Sequence, residues 1–148
     1  MKTTFLTLVL AAGFAVSGFA QKMIKEKNVP DHISSAVHKK YPSATDIKWE
    51  DNGPDFKAEF KSNKMDHKLW ITSTGVIVKA KEDITNEMIP SNIQQKIAND
   101  FTGMTIDEAE KLEINSRVYY VVELTGQPGG DRKVTFNPDG TVENNILD

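Results

Sequence analysis

The sequence predicts an α+β fold: a tandem repeat of one short helix plus a three- to four-stranded antiparallel sheet, with the helices packed on one sheet face. Three observations carry that expectation. The stretches VPDHISSAVHKKY (29–41) and IPSNIQQKIANDF (89–101) say nearly the same thing sixty residues apart. Each is followed by runs in which apolar and polar residues alternate, the period of a half-buried strand. The chain also has no cysteine, so in an exported protein burial must do the work that disulfides do in small stapled scaffolds.

Export is read from the first residues, MKTTFLTLVLAAGFAVSGFAQ. Lys2 is a minimal positive start, Phe5 to Val16 is an apolar run of twelve, and Ser17-Gly18-Phe19-Ala20 offers small residues for a cut after Ala20. This is the layout of a secretory signal peptide. As a helix the run spans only about 18 Å, against a hydrocarbon core of roughly 30 Å. The expected organisation is a signal peptide at 1–20, an N-terminal segment at 21–28, a first α+β repeat at 29–84 and a second at 85–148. The expected location is the periplasm or beyond, with no membrane insertion after cleavage.

Within the first repeat, Ile33, Val37 and Tyr41 fall at i, i+4 and i+8; Ile93, Ile97 and Phe101 do the same in the second. This spacing makes one apolar stripe along a short amphipathic helix. Pro30 and Pro90 suit the helix start, where a missing N–H costs nothing, and Val29 and Ile89 are placed to fold back onto the stripe. Pro42 and Thr102-Gly103 end the two helices. About three turns long, neither is stable alone.

The strands follow. Ile47 and Trp49, then Phe56, Ala58 and Phe60, then Leu69 and Ile71, then Val76 and Val78 alternate after the first helix. Leu112 and Ile114, then Val118, Tyr120, Val122 and Leu124, then Val134 and Phe136, then Val142 alternate after the second. Asp51-Asn52-Gly53-Pro54, Ser73-Thr74-Gly75, Gly126 to Gly130 and Asn137-Pro138-Asp139-Gly140 supply the turns. DFKAEF (55–60) aligns with YYVVEL (119–124), setting Glu59 on Glu123, and KLWITSTG (68–75) aligns with KVTFNPDG (133–140). A unit of about 60 residues is marginal alone. Two units are therefore expected to lay both helices across a joint sheet and share one core.

Composition narrows the function. The net charge is −3, and loss of Lys2, the one charge in the first 20 residues, makes it −4. With no basic stripe or Lys/Arg block, nucleic acid is not an expected partner. His32, His38 and His67 are the only histidines and lack metal-ligand spacing, so they read as exposed side chains, and no metal or cofactor is expected. Asp107, Glu108, Glu110 and Glu113 form an acidic cluster, read as a solvated strand edge. TGQPGGD (125–131) lacks the helix and Lys-Ser/Thr pair of a phosphate loop and reads as a hairpin connection. No G-x-S-x-G elbow occurs. The expectation is that the protein is not an enzyme.

The helix end VPDHISSAVHKKYPSA (29–44) and the stretch TDIKWEDNGPDFKAEFKSNKMDHKLWITSTGVIV (45–78) resemble the PepSY-like, or β-lactamase-inhibitor-like, family of exported bacterial proteins. YPSATDIKWE (41–50) and D-x-x-A-E-F (55–60) are the most specific parts. The resemblance covers about Val29 to Leu147 in two copies, the second more diverged. It implies a β-lactamase-inhibitor-like architecture, a helix on a four-stranded antiparallel sheet in tandem. It attaches no catalytic residues.

If the alternation holds, one sheet face is left open. Trp70 is expected there with Lys68 and Thr72, beside Lys57 and Glu59, and Tyr119, Val121 and Glu123 are expected on the same face. Aromatics amid charges are the composition of a protein-recognition surface. The candidate protein-binding residues are thus Trp70, Lys68, Lys57, Glu59, Tyr119 and Glu123. The expected function is a non-enzymatic exported module that binds, and in that way can inhibit, another extracytoplasmic protein. The alternative is an envelope protein that binds or senses a small ligand or ion in a cavity between the repeats.

Overall fold

A computed structural model of the chain describes residues 22–127 and 129–147. The expected signal peptide therefore lies outside the described residues. Among those described, no helix is long and apolar enough to cross a membrane.

The elements run β1 (Lys22–Ile24), a 3-10 turn (Glu26–Asn28), α1 (Asp31–Lys40), β2 (Thr45–Asp51), β3 (Asp55–Ser62), β4 (Met65–Thr72) and β5 (Ile77–Asp83). A second 3-10 turn (Asn86–Met88), α2 (Ser91–Asp100), β6 (Met104–Ile114), β7 (Arg117–Gly126), β8 (Arg132–Phe136) and β9 (Val142–Leu147) follow. All nine strands form one sheet in the order β1 to β9, each antiparallel to the next. The sheet is joint, as expected, because β5 pairs directly with β6 from Lys79–Ile114 to Asp83–Glu110. Ahead of α1, β1 adds a strand to the sheet edge through Met23–Glu50 and Ile24–Trp49.

Each helix starts at a proline whose carbonyl accepts the amides of the third and fourth helical residues. Pro30 takes those of Ile33 and Ser34 at 2.9 and 3.2 Å, and Pro90 takes those of Ile93 and Gln94 at 3.0 Å each. Val29 and Ile89 are buried beneath their helices, as the stripe requires. The second residue of each helix then grips a distant hairpin. His32 Nε2 donates to the Ser73 carbonyl at 3.0 Å, and Asn92 Nδ2 donates to the Pro138 carbonyl at 3.0 Å. A glycine makes room in both places. A Cβ on Gly75 (φ +85°) would sit 3.3 Å from His32 Cδ2, and one on Gly140 (φ +89°) 3.3 Å from Asn92 Nδ2.

Register shifts recur at matching places. One falls between Thr45 and Lys48 and another between Ile106 and Glu108; a second pair falls at Trp70/Ile71 and Thr135/Phe136. The bulge in β6 overturns part of the sequence reading. It reverses which side chains face the helices, so Ala109 is buried on the helix side while Leu112 and Ile114 point to the opposite face, Ile114 at 37% exposed. An extra residue in one strand does this because side chains alternate with period two.

Both helices lie on the same face, but they do not share one core. Ile33 and Val37 pack with Trp49, Ala58, Phe60, Leu69 and Ile71. Ile93 and Ile97 pack with Ala109, Val122, Leu124, Val134 and Phe136 in a second cluster. Between them the helix-side row over β5 and β6 is polar: Glu82 stands opposite Lys111, and Glu113 beside Ala80 bonds Lys40 at the end of α1 at 3.0 Å. Charged side chains along the seam keep the apolar clusters apart.

Candidate functional site

With both helices on one side, the other face of the sheet carries no layer of secondary structure among the described residues. Its composition follows from register. One row runs Met23–Glu50–Lys57–Trp70–Lys79–Ile114–Arg117 from β1 to β7, and the next runs Lys48–Glu59–Lys68–Lys81–Leu112–Tyr119 from β2 to β7.

In the first half of the sheet this face is a lattice of opposite charges around one indole. Lys57 Nζ lies 2.6 Å from Glu59 and 3.6 Å from Glu50, and Lys68 reaches the same Glu59 oxygen at 3.7 Å. The hydrogen bond to Glu59 raises the Lys57 pKa, with desolvation opposing it, and the same hydrogen bond holds the Glu59 carboxyl below its ordinary value. Trp70 lies between lysines on the two neighbouring strands. Lys79 Nζ is 4.4 Å and Lys57 Nζ 6.0 Å from the ring centroid, within the range where an ammonium is attracted to an indole face. The side chain is half-buried.

In the second half the open face turns apolar. Leu112 stands opposite Tyr119, Ile114 opposite Arg117 and Glu110 opposite Val121. A depression of about 580 Å³ lies over this region, bordered by Leu112, Ile114, Arg117, Tyr119 and Thr135. Glu123 is engaged by Lys133 at 2.5 Å, and Glu110 by Lys81.

Of the six candidate residues, Lys57, Glu59, Lys68 and Trp70 form one contiguous group on β3 and β4. Tyr119 and Glu123 share the face but sit three strands from β4, about 14 Å away at ordinary strand spacing. Three further residues belong to the surface and escaped the sequence reading. Lys79 was missed because its partnership with Trp70 is a cross-strand contact. Ile114 and Leu112 were missed because the β6 bulge inverts their phase. The signal for the bulge is weak: in IDEAE (106–110) the alternation breaks at Asp107-Glu108.

The other chemistry considered from the sequence is dispersed. Glu110 pairs with Lys81 on the open face, Glu113 with Lys40 on the helix face, and Asp107 and Glu108 are exposed. The acidic cluster is thus not a strand edge; β6 is internal, and alternation sends its members to both sides. Among the described residues no group of three His, Cys, Asp or Glu side chains is arranged to hold a metal. His67, expected at the surface, is 4% exposed. Its ring stacks on Phe60 with centroids 5.2 Å apart, and Tyr41 meets both rings, 5.0 Å from His67 and 5.2 Å from Phe60. Ser34 and His38 both contact Glu26 Oε1, at 3.4 and 3.3 Å; a nucleophile and its base would have to contact each other. A depression of about 520 Å³ spans the two halves beside Lys68, Lys81, Asp83 and Glu110, open to solvent and edged mostly by charged groups.

Solved structures share this fold. A DUF2874 family protein from Bacteroides uniformis superposes with a TM-score of 0.69 at 20% identity, covering 80% of this chain and 88% of that one. A BLIP-like protein from Bacteroides fragilis gives 0.68 at 19% identity over 79% and 84%. A protein of Bacteroides eggerthii, described as a candidate periplasmic protein, gives 0.68 at 22% identity over 80% and 88%. No family model matches the chain, and no curated protein sequence matches it. The antiparallel sheet with two helices is therefore a BLIP-like fold.

Proposed function

We propose that this protein is an exported, non-enzymatic binding module that engages another extracytoplasmic protein through the open sheet face. The reading takes it as two copies of one PepSY-like unit, 29–84 and 85–148, released from a signal peptide that ends at Ala20. Trp70, Lys57, Glu59 and Lys68 anchor and orient the partner, and Tyr119 and Glu123 extend the contact across the sheet. Binding of this kind inhibits whatever partner site it covers.

The observation that carries the reading is the segregation of the two faces. Burial under the helices consumes one face, while the other presents a tryptophan between two lysines and, beside it, an apolar patch rimmed by charges. An aromatic anchor with an apolar centre and a polar rim is the anatomy of a protein interface. The depression between the halves is open and polar, whereas a small-ligand site is concave and mostly apolar, so the geometry favours the broad surface.

The test is affinity capture. Protein beginning at Gln21 is the bait in an extract of envelope and secreted fractions, with a folded Trp70→Ala, Tyr119→Ala variant as control. The expected result is a protein held by the wild type and lost with the variant. The same proteins held equally by both baits would overturn the reading.

A further inference from the structure

The open face is not uniform in how its charges are met. Lys57, Lys68, Lys81 and Lys133 each have a carboxylate within ion-pair distance. Lys48, on β2 and away from the apolar patch, has none among the described residues, and neither do Lys79 and Arg117; Lys79 contacts the Trp70 ring instead. These two cations lie in the same row, on β5 and β7, with Ile114 of β6 between them, about 10 Å apart at ordinary strand spacing. Ile114 is one of the few large apolar side chains left exposed, at 37%, and it borders the depression that Leu112 and Tyr119 also line. One carboxylate, Glu143, reaches the rim, and it is engaged by Asn137 Nδ2 at 3.1 Å.

We propose that the strip Trp70–Lys79–Ile114–Arg117 docks an acidic segment of the partner protein, one that presents an apolar side chain between two carboxylates. This deepens the open-face reading and rests on it. The apolar side chain seats on Ile114 and the Leu112–Tyr119 floor, and the carboxylates meet Lys79 and Arg117. Three features select this occupant. The cations are unmatched within the chain, so pairing them removes no existing ion pair. They flank an apolar residue, so a purely charged ligand leaves Ile114 uncovered. The chain as a whole is acidic, at −3, so an acidic partner is repelled on average and attracted at this local cationic pair, which favours docking there. A sugar ring stacked on Trp70 fits less well, because Lys79 already occupies an indole face.

The experiment uses two capped peptides with the protein from Gln21 onward. In one, glutamate, leucine and glutamate share a face of an extended chain, with threonines between; in the other, lysine replaces glutamate. Binding is read from the fluorescence of Trp70, with the fully buried Trp49 as a constant background. The acidic peptide is expected to bind about tenfold or more tightly than the basic one, as expected for complementary against like charge, and to weaken with added salt. Lys79→Glu with Arg117→Glu should invert the preference without loss of fold by circular dichroism. Equal binding of both peptides, binding of neither, or an unchanged preference in the reversed variant overturns the inference. A partner still captured by the charge-reversed protein through Trp70 and Tyr119 would end this inference and leave the open-face reading standing.

Discussion

The two halves of the sheet solve the same packing problem and then part company. On the helix side the register sets Trp49 opposite Ala58 and Ile71 opposite Phe56; the corresponding places in the second half hold Ala109 opposite Val122 and Phe136 opposite Tyr120. The Trp–Ala pair gives way to the smaller Ala–Val pair and the Ile–Phe pair to the larger Phe–Tyr pair, so volume lost at one pair is made up in part at the next. On the open side, Glu59–Lys68 has a counterpart in Glu123–Lys133, but Lys57 opposite Trp70 is replaced by Val121 opposite Thr135. Packing holds these helix-side positions to apolar and aromatic residues. The other face has kept a cross-strand ion pair and changed the rest, which is the freedom a recognition surface needs.

The sharpest way to break this comparison is in the first core. Trp49→Ala should cost about 3–5 kcal/mol, the range for deleting a large buried aromatic, measured by denaturant unfolding. A loss under 1 kcal/mol would mean that the first cluster is not organised around Trp49. The helix-to-hairpin grip comes next. Gly75→Ala and Gly140→Ala should each lose roughly 1–2 kcal/mol, because both backbones are left-handed, and the two losses should be alike if the grips are equivalent. A cost at one site alone would separate the halves.

Independence of the cores is a smaller effect to measure. Ile33→Val and Ile93→Val should each cost about 0.5–1.5 kcal/mol. The double variant should lose their sum to within about 0.5 kcal/mol, because the clusters share no residue. Clear non-additivity would restore the shared core expected from the sequence.

The smallest effect is the pH response of the open-face lattice. The Lys57 hydrogen bond lowers the Glu59 pKa, so its contribution is present above the ordinary carboxylate value and lost as pH falls through the lowered one. Glu59→Gln should therefore show a shallower acid-side loss of stability than the wild type. Tyr41 acts at the other end: burial first, then Glu82 and Glu113, raise its pKa. Its contribution is full below about pH 10 and lost as pH rises through the raised value, and Tyr41→Phe should flatten that alkaline limb.

How much was legible follows the same division. Helices, caps and most of the core were readable because Ile33, Val37, Ile93 and Ile97 repeat at helical spacing and Trp49, Ala58, Leu69 and Val122 at strand spacing. Leu112 and Ile114 were assigned to the wrong face because Asp107-Glu108 hides a bulge that no apolar residue marks. His67 reads as polar, yet it alternates in phase with Leu69 and Ile71 and is buried in a cluster with the Tyr41 and Phe60 rings. The separation of the cores depends on Glu82, Lys111 and Glu113 meeting along the seam, which strand pairing alone decides. For the open face, Trp70 and its Lys57–Glu59–Lys68 neighbours follow from alternation within two adjacent strands. The Lys79–Ile114–Arg117 row crosses from one half to the other and needs the β5–β6 register.

The central claim is that the face opposite the helices is the one that binds. The most direct measurement is lysine acetylation footprinting of the protein with and without its captured partner, read by mass spectrometry. Acetylation of Lys68 and Lys79 should slow on binding while that of Lys39 and Lys96, on the helices, is unchanged. Protection of Lys39 and Lys96 with Lys68 and Lys79 unaffected would contradict the account.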